Sequence, residues 1–128
     1  MSTLNARPLV ASICLAGLFS TAALAHHGWS WAEQQQSELT GTIRSISIEP
    51  PHPSLQVETA KDGLWKIELG NPRQTARSGF REGSAKVGDP IEVLGNRSLD
   101  ANEKRMKAVR ITVAGKVYDI YPDRIRTN

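Results

Sequence analysis

Cysteine is nearly absent. Cys14 is the only one in 128 residues, and it sits in an apolar N-terminal run. A disulfide framework, a thiolate metal centre and a cysteine nucleophile are therefore not available to the chain that follows it. Aromatic residues are also scarce, at 5%. That leaves few stacking platforms for single-stranded nucleic acid. The formal charge of +3 is too slight to imply nucleic acid or an anionic membrane as partner. No Gly-x-Ser-x-Gly elbow, phosphate loop or His-Glu-x-x-His motif occurs. A binding protein is expected rather than an enzyme.

What is present begins with an export pattern. Residues 1–7 carry one positive charge, Arg7. Residues 9–24 are uncharged and mostly apolar, and Ala23-Leu24-Ala25 is a small-x-small cleavage site. Residues 1–25 thus read as a secretory signal, and the mature chain would start at His26 in the periplasm or outside the cell. No membrane-spanning segment is expected after cleavage. Losing Arg7 takes the formal charge from +3 to +2.

Residues 26–38 show no sustained period and read as an arm. From Leu39 the chain is rich in β-branched residues. Leu39 and Ile43 share one parity and Ile46 and Ile48 the other, so the first strand should contain a bulge. Pro50, Pro51 and Pro53 must end it. Leu55, Val57 and Thr59 alternate, Asp62-Gly63 signals a hairpin turn, and Trp65, Ile67 and Leu69 alternate again. Asn71 as cap and Pro72 as first residue start a helix running to about Ser78, with Gly79 as its stop. Ile91 with Val93, and Val109 with Ile111 and Val113, supply two more strands, separated by a polar loop from Asn96 to Arg105. Residues 115–128 read as a polar tail in which Tyr118 and Tyr121 could anchor. The order β-β-β-α-β-β predicts a mainly β domain over residues 39–114. It would be a small five-stranded OB-like barrel with one short helix between strands three and four.

The residues also resemble a family of small exported bacterial proteins of unknown function. The resemblance rests on His26-His27-Gly28-Trp29, Leu39-Thr40-Gly41-Thr42-Ile43, Pro51-His52, Glu68-Leu69-Gly70-Asn71-Pro72, Gly79-Phe80 and the stretch from Val87 to Val93. Members begin with two histidines after the signal and carry Asn-Pro-His after the first strand. Here Pro50 replaces that Asn, and Phe80 stands where Trp is commoner. The resemblance implies an exported small β-domain and no established activity.

All three histidines could carry chemistry. An N-terminal His26 would offer a free α-amine, which titrates near pH 8, and an imidazole on one residue. Both could chelate one ion, and His52, held in a proline-flanked loop, could add a third nitrogen. Such a three-nitrogen set favours copper. His27 could replace or assist His26. The plainer alternative has His26 and His27 on a disordered arm and His52 as an ordinary loop residue. Arg73, Arg77 and Arg81 recur every fourth residue and would form a basic stripe on a helix, suited to a protein or envelope polymer. Lys104, Arg105, Lys107 and Arg110 form a second basic cluster. Trp29 and Trp31 could pack across the barrel mouth and fix the arm near His52.

Overall fold

The computed structural model describes residues 28–126. The expected signal, His26 and His27 lie outside the described residues. Six strands form the sheet: β1 (Ala32–Ser47), β2 (Ser54–Thr59), β3 (Gly63–Glu68), β4 (Pro90–Ser98), β5 (Arg105–Val113) and β6 (Lys116–Asp119). Helix α1 (Pro72–Arg77) lies between β3 and β4, and a short 3-10 turn (Pro122–Arg124) follows β6. The strand order is β3-β2-β1-β4-β5-β6, and a parallel β3–β5 pairing closes β1 to β5 into a ring. This is the expected OB-like barrel, with β6 added along the outer edge of β5.

The phase slip read in the first strand is a register shift between Ile43 and Ser45 where β1 meets β2. It lets one long strand bend from β4 to β2 while Ile43 before the slip and Ile46 after it both face the core. The Asp62-Gly63 hairpin joins β2 to β3 with Thr59 facing Gly63. Asn71 caps α1 by accepting from the Gln74 amide at 2.8 Å. Gly79, with φ +95°, stops the helix in a conformation that residues with a Cβ rarely adopt. Phe80 then turns into the core and meets Tyr118 edge-on at 5.3 Å.

Two expected boundaries shift. The arm was expected to reach residue 38, but pairing with β4 starts at Ala32, opposite Ser98. A second slip, between Ala32 and Gln36, leaves two β1 carbonyls to the Asn96 side chain, whose Nδ2 donates to Glu33 and Gln34. Short-range periodicity does not reveal a strand whose polar residues are tied by a partner's side chain. The tail likewise contains a strand. Arg110 faces Asp119 across the β5–β6 ladder and grips its carboxylate at 2.6 Å.

Gly95 sits beside a third slip, between Leu94 and Gly95 on β4, where β5 skips Val109. A Cβ built on Gly95 would run into the Lys107 carbonyl oxygen and come within 2.9 Å of Met106 Cγ. The obstacle is backbone, which cannot swing aside. Gly95→Ala should therefore lower stability by about 2–3 kcal/mol, measurable by urea denaturation. An unchanged midpoint would show that the two strands can part at no cost.

Candidate functional site

The bulge in β5 inverts its facing. Val113 and Ile111 point into the core on one side of it, Ala108 and Met106 on the other. Lys107 therefore points away from the barrel interior. Glu68, flanked by core Ile67 and Leu69, does the same on β3. Register places Ser54, Glu68, Lys107, Asn96 and Gln36 side by side across β2, β3, β5, β4 and β1. A polar row on an outer wall would normally be wet. Here Glu68 is 5%, Lys107 1% and Asn96 6% exposed.

The row is covered by the arm and the tail. Trp29 approaches the Lys107 ammonium at 5.6 Å, and Tyr121 approaches it at 5.7 Å from its own side. The two rings meet edge-on at 4.9 Å. Arg124 lies over Trp29 at 4.1 Å, and Arg105 stacks on Trp31 at 3.7 Å. Arg105 also hydrogen-bonds Glu68 and reaches Glu103 at 3.4 Å. The tryptophans thus cover the outer wall of β3 and β5 rather than the barrel mouth. Ring faces next to ammonium and guanidinium groups are favourable, and more so where water is excluded.

His52 joins this face from the proline loop. The Leu69 amide donates to Pro53 at 2.9 Å, and Ser54 faces Glu68, so His52 lies beside the end of β3. It is solvent-exposed. Partial loss of water, then Lys107, holds its imidazole below the ordinary 6.5; Glu68 opposes this, while Arg105 and Lys66 add to it. Burial likewise pulls Lys107 below the usual lysine value, against Glu68 and with Arg105 and Arg124. Burial raises the Tyr121 hydroxyl. A histidine whose folded value is depressed adds stability that is complete above 6.5 and lost as pH falls through the folded value. The ring protons of His52 should titrate with a midpoint below 6.5 in an NMR series. A midpoint above 6.5 would mean that Glu68 outweighs the cations.

The expected arginines are not brought together with His52. Arg73 and Arg77 lie exposed on α1, but the helix ends at Arg77, so Arg81 is exposed in the following loop and no three-residue helical stripe forms. The second basic cluster also divides. Lys104 and Arg110 hold Asp62 and Asp119 respectively, while Arg105 and Lys107 enter the covered row. Met106, within the same run, is fully buried in the core. Among the described residues, no group of three His, Cys, Asp or Glu side chains could hold a metal. Glu68, Asn96, Tyr121 and Arg124 carried no sequence signal for this face. Glu68 sits out of phase between core residues, and that phase was the one available hint.

No helix among the described residues is long and apolar enough to cross a membrane. No curated protein matches the chain. In three-dimensional comparison it is similar to the S. pombe Stn1-Ten1 complex, with TM-score 0.52, 16% identity, and coverage of 63% of this chain and 59% of that one. It is also similar to a ZRD-deleted mutant of TiaS in complex with agmatine, with TM-score 0.52, 21% identity, and coverage of 72% and 28%. The chain spans less than two thirds of either protein, and these likenesses show the barrel fold alone. At sequence level a family model matches residues 14–107, and the chain belongs to that family: the family of unknown function DUF6152.

Proposed function

We propose that the mature protein binds a copper ion in the cell envelope, through the amine and ring of His26 and the ring of His52, with His27 assisting or replacing His26. Its role would be ion storage, delivery or protection rather than turnover. The observation that carries this reading is the seating of Trp29 on the face that also bears His52. His27 is two residues before Trp29, and two residues span at most about 7 Å. Chain length therefore allows the first residues of a chain starting at His26 to reach the face that bears His52. Partial burial first, and then the cations around His52, favour its neutral imidazole, the form that binds metals.

The same cations favour a second reading. Lys107, Arg105 and Lys66 oppose a positive ion at His52. A metal-free module holding an anionic protein or envelope polymer would use the exposed Lys66 and the accessible part of Arg105, with Lys107 adding its field from beneath. Cu(II) titration of the protein starting at His26, its His52→Ala variant and a short peptide of the arm separates the two. The copper reading expects the protein to bind far more tightly than the peptide, and His52→Ala to lose that advantage. Equal binding by protein and peptide would sink it. Removing an exposed cation should tighten a genuine site, so Lys66→Gln is expected to raise Cu(II) affinity severalfold.

A further inference from the structure

We propose that the C-terminal tail is the positioning element of this face: Tyr121 and Arg124 hold Trp29 between them and so set where the chain ahead of Trp29 begins. The inference rests on the copper reading above and assigns a role to residues beyond the part of the chain that the family match covers.

Trp29 is met by Tyr121 at 4.9 Å edge-on and by the Arg124 guanidinium at 4.1 Å. Both partners belong to a tail that is itself firmly tied. The Ile120 and Tyr121 amides both donate to the Val109 carbonyl, at 2.9 and 3.0 Å. Val109 is the residue that the β5 bulge leaves out of the ladder, so its carbonyl is free to take both. Gln74 of α1 donates to the Ile120 carbonyl at 2.8 Å. Ile120 is fully buried, which fixes the start of the tail to the core.

The far end is gripped by a single side chain. Gln36 Nε2 donates to the Arg124 carbonyl at 2.6 Å, and its Oε1 accepts from the Arg126 amide at 3.1 Å. Gln36 lies on β1, so its bonds tie the tail to the strand that the arm leads into. The arm has fewer restraints of its own: the Ala32 amide donates to Trp29 at 3.0 Å, and the Leu99 amide to Trp31 at 2.8 Å. Neither bond holds the Trp29 ring. That ring is held by Tyr121, Arg124 and Lys107. Lys107 is part of the rigid sheet, whereas Tyr121 and Arg124 arrive from sequence positions that supply no metal ligand.

The test compares Cu(II) affinity and the Cu(II) electron paramagnetic resonance spectrum across the protein starting at His26, Tyr121→Ala, Tyr121→Phe, Arg124→Gln and the arm peptide. Arg124 is exposed, so its replacement leaves the core intact. Thermal unfolding of each protein is recorded alongside. Tyr121→Ala and Arg124→Gln are each expected to lose about tenfold or more of the affinity advantage over the peptide. Their spectra should shift toward that of the peptide, in Arg124→Gln at an unchanged melting temperature and in Tyr121→Ala at a lower one because Lys107 is uncovered, and Tyr121→Phe, which keeps the ring, should behave as the parent. Full affinity and an unchanged spectrum in Tyr121→Ala and Arg124→Gln would overturn the inference and leave the copper reading standing. A parent protein that binds no better than the peptide overturns both.

Discussion

Acetylating the amine of a protein that starts at His26 is expected to lower its Cu(II) affinity by about 100-fold or more, close to 3 kcal/mol. The amine is one of three nitrogens in the proposed set; acetylation ties its lone pair into an amide and leaves no free amine to anchor the ion, without which copper does not readily displace the amide proton. Acetylation is chosen over a one-residue extension for a chemical reason. An extra residue ahead of His26 places His27 third in the chain, where an amine, two amide nitrogens and an imidazole can enclose copper without the barrel. Such an extended protein is expected to bind copper independently of His52, whereas the parent depends on it. Isothermal titration of parent, acetylated and extended proteins, each with and without His52→Ala, reads this directly. Equal affinity of acetylated and parent protein would remove the amine from the site. The copper reading would then give way to the metal-free one that the cations around His52 favour.

The second large effect concerns Glu68. Glu68→Ala is expected to lower folding stability by about 3 kcal/mol, since breaking a buried ion pair leaves an uncompensated charge. Glu68 is 5% exposed, hydrogen-bonds Arg105 and faces Lys107 across the β3–β5 pairing. Arg105 keeps 26% of its side chain in solvent and can turn outward, which holds the loss to the lower end of the usual range. Lys107, at 1% exposure, has no such escape. A domain of this size is stable by about 5–15 kcal/mol, so the variant should fold but melt on the order of 15 °C lower.

The pH dependence is signed. Lys107 has a depressed folded value, and removing Glu68 depresses it further. The deficit of the variant is full while Lys107 is charged and shrinks as pH rises through its folded value, because a neutral amine needs no counter-charge. His52 should titrate lower still, since Glu68 is the group that raises it. Urea denaturation at several pH values checks the first point and NMR the second. A loss below about 0.5 kcal/mol, the ordinary scatter for a surface site, would mean that the covered row is open to water.

The local elements were legible in the chain because each has a short-range physical cause. Proline and glycine chemistry marked the end of β1, the β2–β3 hairpin and both ends of α1. Alternation marked the core positions of β2, β3, β4 and β5. The order of those elements was enough to predict an OB-like barrel, since a short hairpin pair, a helix and two further strands can bury one face most simply by closing. His52 stood out because its flanking prolines could not be ladder residues. What tertiary structure alone decided is the outer wall. Lys107 reads as one charge in a basic run, and only the Val109 bulge turns it out of the inward phase of Ile111 and Val113 toward Glu68 and Asn96. Tyr121 and Arg124 stand more than ninety residues from Trp29, a separation at which no periodicity links them. Local sequence sets backbone preferences and facing within a strand; which polar side chains lose their water depends on what the rest of the chain lays over them.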